Sequence, residues 1–97
     1  MITNEFINAV LNGTVPGFDE ADIAAVYWQY HRSTMGSFTG TLWDLIAKAD
    51  NGNLNRIAAG YKVEVTGYLR WTHGDLAQRL RAAGEVFCND EGVVNLK

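Results

Sequence analysis

The sequence predicts a mainly α protein: a compact single-domain bundle of four to six short helices, closed by a C-terminal β-hairpin over residues 85–96. Three observations carry this. Apolar residues recur at three- and four-residue spacing through most of the chain, capping residues and glycines punctuate those runs, and 97 residues with 47% hydrophobic content suit one core.

The first helix is expected over 4–12, with Thr3 as its cap, Phe6, Ile7, Val10 and Leu11 on one face, and Asn12-Gly13 as its stop. Pro16 prevents it from resuming. Asp19 caps the second helix, while Glu20 and Asp22 lie at the positive end of its dipole. On that helix Ile23, Val26, Tyr27 and Tyr30 share the expected core face, and Trp28 lies roughly 100° or more from its centre.

Ser33 to Gly40 reads as a loop delivering Ser37 or Thr39 as the cap of a third helix, whose core positions are Leu42, Leu45, Ile46 and Ala49. Asn51-Gly52 ends it, and Asn53 caps a short fourth helix that carries Leu54, Ile57 and Ala58 and stops at Gly60. In Tyr61 to Thr72 the residues Tyr61, Val65, Tyr68, Leu69 and Thr72 outnumber the two-residue alternation of Val63 and Val65, which favours helix over strand. Thr72 to Asp75 breaks the chain again before Leu76, Leu80 and Ala83, a run ending at Gly84. The apolar residues on either side of Asn89-Asp90-Glu91-Gly92 then supply the hairpin, with Cys88 as a small buried residue in one strand. The expected core is Leu42, Leu45, Ile46, Leu54, Ile57, Val65 and Leu69.

Eleven acids against eight bases give a net charge of −3, which is neither a polyacidic tail nor a polybasic arm. The charge is unevenly spread. Residues 54–83 hold Arg56, Lys62, Arg70, Arg79 and Arg81 against Glu64 and Asp75, a local +3. A lone cysteine excludes an internal disulfide and fits a reducing compartment, and no apolar run approaches the ~20 residues of a membrane span. The expected location is therefore the cytoplasm, with no membrane contact.

The run from Leu42 to Tyr61, continuing to Val65, Tyr68 and Trp71, resembles small phage and prophage proteins of uncharacterised function. It covers about a third of the chain. In that group a proline often follows the aromatic residue at position 61, where this chain has Lys62. The resemblance implies a phage or prophage origin and a small accessory role, such as interference with host machinery, and it transfers no functional residue.

Catalytic and metal chemistry find little footing. His31, His73 and Cys88 lack the close pairs of a zinc site, the glycines stand singly at expected helix ends, and no G-x-S-x-G motif occurs. No cofactor and no enzymatic activity are expected. Nucleic-acid binding has the local +3 and a short helix, turn and longer helix from Leu54 to Trp71, but the second of these helices offers only Lys62 and Arg70 as cations. A protein partner, either a host factor or a second copy, is the leading expectation. Four residues are its candidates: Trp28, His31 and Arg32 at the end of the second helix, and Trp71, because each tryptophan projects away from its helix's apolar centre. For Trp28 and Trp71 the sequence leaves open a second buried face against the hairpin instead.

Overall fold

In a computed structural model, which describes the backbone of residues 2–96 and the side chains of residues 2–87, the chain forms six helices and no strand among the described residues. They are α1 (Asn4–Leu11), α2 (Glu20–Tyr30), α3 (Ser37–Lys48), α4 (Asn51–Gly60), α5 (Lys62–Thr72) and α6 (Leu76–Leu96), with a single 3-10 turn at Arg32–Thr34 between α2 and α3. Helix α5 settles the ambiguous stretch 62–72 as helical.

The first two helices start where their caps dictate. The Phe6 amide donates to Thr3 Oγ1 at 3.1 Å, and Asp19 and Asp22 form a reciprocal capping box in which the Asp22 amide donates to Asp19 Oδ1 at 3.0 Å. Helix α1 ends in a Schellman motif: the Gly13 amide donates to the Val10 carbonyl and the Thr14 amide to that of Ala9, each at 3.0 Å. Gly13 has φ 76°, a backbone conformation that costs a residue with a Cβ.

Other boundaries differ from expectation. Helix α3 has Gly36 as its N-cap and no side-chain cap, so neither Ser37 nor Thr39 plays that part. Asp50, not Asn53, caps α4 by accepting the Asn53 amide at 2.8 Å; Asn51-Gly52 thus opens that helix rather than closing the previous one. The hairpin expected at 85–96 is not seen, because α6 runs on from Leu76 to Leu96. Once a helix is nucleated each added residue forms a further backbone hydrogen bond, whereas a lone two-stranded hairpin is marginal in water. Gly84 is buried within α6 and does not end it. The side chain of Cys88 lies outside the described residues.

Three adjoining clusters make the core. Phe6, Ile7 and Val10 of α1 meet Val26 of α2 and Leu80 of α6. Ala25 and Trp28 of α2 meet Trp43 of α3 and Leu76 of α6, while Leu42 and Ile46 of α3 meet Val65 of α5 with Leu54 and Ile57 of α4 packed alongside. Of the expected core residues Leu54 and Ile57 are half-buried, and two are corrected: Leu45 is 54% exposed and Leu69 is 38% exposed.

Helices α2 and α5 approach closely at Gly67. A Cβ placed on Gly67 would collide with the Ala21 carbonyl oxygen and would stand 3.2 Å from the Ala25 Cβ. Glycine on one helix opposite alanines on the other lets the two backbones touch. The packed face of α2 is accordingly Ala21, Ala25 and Trp28 together with Asp22 and Val26, roughly 140° around the helix from the centre of the expected face, with Val26 common to both.

Candidate functional site

Three arrangements could carry chemistry or recognition. The first is ionic and lies where the N-terminus of α2 meets the end of α5 and the start of α6. The Asp22 side chain is only 4% exposed and accepts from Arg70 Nη1 at 3.0 Å and from Arg79 Nη1 and Nη2 at 3.2 and 3.3 Å. Arg70 Nη1 also donates to both Asp19 carboxylate oxygens at 2.7 and 2.8 Å, and Arg79 Nε donates to Asp75 Oδ1 at 3.0 Å. The Arg79 guanidinium stands 5.9 Å from the centre of the Phe18 ring.

Arg70 holds the Asp19 carboxyl below its ordinary range, aided by the backbone amide of Asp22. In return Asp19 and Asp22 raise Arg70, and Asp22 and Asp75 raise Arg79. No buried side-chain polar atom among the described residues lacks a hydrogen-bond partner. A buried carboxylate so fully paired is a structural clamp with no spare valence for a substrate. It also pairs two of the five cations of the basic stretch with acids, Asp19 and Asp22, that lie outside that stretch, which lowers the local charge available to a nucleic acid.

The second arrangement gathers the four residues singled out by sequence at one end of α2, in unequal positions. Trp28 is 8% exposed, with its ring stacked on that of Trp43 at 4.9 Å and 11° and tilted against Tyr68 at 5.8 Å. It is a second-face core residue, correcting the interface expectation, and its partners are α3 and α5 rather than a hairpin. Arg32 is exposed and places its guanidinium 5.0 Å from the Trp28 ring centre, with Nε donating to the Trp28 carbonyl at 3.4 Å. His31, half-buried, is the C-cap of α2, its ring 5.8 Å from that of Tyr27. Trp71 is half-buried between the first two core clusters and meets Tyr30 edge-on at 6.4 Å.

The third arrangement is the side of α2 that the fold leaves open. Tyr30 is 44% exposed and Phe38, in the first turn of α3, is 67% exposed. The Phe38 ring reaches Tyr61 at 6.1 Å, and the Tyr27 hydroxyl lies 3.1 Å from Thr34 Oγ1. Between α2, α3 and α5 runs an open groove of about 330 Å³. Ile23, Ala24 and Tyr27 line it from α2, Trp43 and Met35 from the α3 side, and Val63 from α5; Glu20 and Glu64 are its charged lining residues. Local spacing does not mark Phe38 and Tyr61 as exposed, because one sits in an expected loop and the other fits the apolar face of a helix.

No three described His, Cys, Asp and Glu side chains are grouped so as to hold a metal ion, and no described helix is long and apolar enough to cross a membrane. No family model, no curated protein and no solved structure matches the chain, so these comparisons lend the phage resemblance no support.

Proposed function

We propose that the chain is a non-enzymatic protein-binding module whose contact surface is the open side of α2 together with the start of α3. One observation carries this reading: Tyr30 and Phe38 stay exposed on a chain that buries Phe6, Trp28 and Trp43. Aromatic side chains bring large contact area at low entropic cost and dominate interface energetics. Arg32 and His31 border the same surface and add directional donors. An accessory role in a phage or prophage, including inhibition of a host factor, is the setting that the resemblance alone suggests.

The test is retention of a partner from a lysate of the cell that carries the gene, using the chain and its Tyr30→Ser/Phe38→Ser variant. The unmodified chain is expected to retain a protein in stoichiometric amount. The variant, with its melting temperature within about 2 °C, is expected to lose it. Undiminished retention by a folded variant, or recovery of nucleic acid instead of protein, would overturn the reading.

A further inference from the structure

Building on that reading, we infer that the groove between α2, α3 and α5 takes a cationic apolar segment of the partner protein: a bulky apolar side chain flanked by lysine or arginine. Ile23, Tyr27, Met35, Trp43 and Val63 make its lining apolar, which suits an aliphatic or aromatic anchor. Its charge is of one sign. Glu20 and Glu64 line the groove, no cation does, and neither carboxylate has an ion-pair partner among the described residues. Lys62 and Arg70 lie outside it, in an adjoining groove whose lining Glu20 shares, so Glu64 is the carboxylate confined to the apolar groove.

The contrast with the Asp22 clamp is informative. There, Asp19, Asp22 and Asp75 each meet an arginine. Here, two carboxylates beside exposed apolar surface meet none. An anionic rim around an apolar groove repels phosphate and acidic peptides and attracts a basic flank, which fixes the sign of the partner's charge more than its affinity. At about 330 Å³ the groove is at the lower end of small-ligand sites and accommodates a side chain or two.

The experiment titrates the full chain with two synthetic peptides of equal length, one carrying a leucine-tryptophan pair flanked by lysines and the other the same pair flanked by glutamates. Binding is read from the three tryptophan indole N–H resonances of the isotope-labelled chain, of which Trp43 alone lines the groove. The lysine peptide is expected to bind and to shift the Trp43 signal most, with Glu20→Gln and Glu64→Gln each weakening it by about threefold. A Glu20→Lys/Glu64→Lys variant that keeps its melting temperature should exchange the preference and select the glutamate peptide. No binding of the lysine peptide, equal binding of both, or an unchanged preference in the reversed variant would overturn the inference. A partner lost by Tyr30→Ser/Phe38→Ser but held undiminished by Glu20→Gln/Glu64→Gln would refute the cationic segment while leaving the protein-binding reading intact. Sedimentation showing that the chain fills the groove with a second copy would also refute it.

Discussion

Helix α2 has two sides that differ in side-chain size and in use. On one, Ala21, Ala25 and Trp28 lie against α5 and α3, and Asp22 is clamped by Arg70 and Arg79. On the other, Ile23, Tyr27 and Tyr30 carry more apolar surface, yet Tyr27 and Tyr30 remain exposed. The difference teaches that approach distance, not side-chain size, decides which side of a helix becomes core. Gly67 lets α5 come to the alanines, and a backbone that close leaves room only for small residues between the helices. Tyr27 and Tyr30 lie away from that contact and keep exposed ring surface.

The sharpest way to break this comparison is through Trp28 and Phe38. Replacing Trp28 by Ala removes a ring stacked on Trp43 and should cost about 3–5 kcal/mol of unfolding free energy in urea. Phe38→Ala should cost less than about 0.5 kcal/mol, since two-thirds of that residue already faces water. Similar losses from the two would erase the distinction between the sides.

The Asp22 clamp gives a smaller effect on the packed side. Asp22→Ala should cost about 2–3 kcal/mol, toward the lower end for a buried pair, because Arg70 and Arg79 are partly exposed and can turn to solvent. The same junction makes stability fall in acid. The folded-state pKa of Asp19 is depressed below 3.8, so its contribution is fully present above that value and is lost as pH falls through the folded pKa. A melting temperature that declines only below about pH 4, and declines less steeply in Arg70→Gln, is the expected result.

The helical class, the Thr3 and Asp19 caps and the Gly13 stop could be read from the sequence because each is set by residues within a few positions of one another. The rotation of α2 could not. Alanines are weak hydrophobic signals, and the glycine that makes them core lies on another helix, more than forty residues away. Trp28 was correctly placed off the Ile23 and Tyr27 face, but that face is the open one, so the offset carried it into the core. Asp22 shows the same limit. Its place in the first turn announced a dipole contact, while the arginines that bury it arrive through α5 and α6. The C-terminal hairpin was read from a turn-rich tetrapeptide, a local signal that the continuing helix overrides.

The most direct measurement compares Gly67→Ala with Gly40→Ala by urea denaturation. Both glycines lie within helices, but a Cβ at position 40 meets nothing within 4 Å, whereas at position 67 it meets the backbone of Ala21. Close packing of α2 on α5 predicts opposite signs: Gly40→Ala should stabilise by up to about 1 kcal/mol through helix propensity, and Gly67→Ala should destabilise by about 1–3 kcal/mol despite the same propensity gain. Stabilisation in both variants would contradict the close approach, and with it the assignment of packed and open sides to α2.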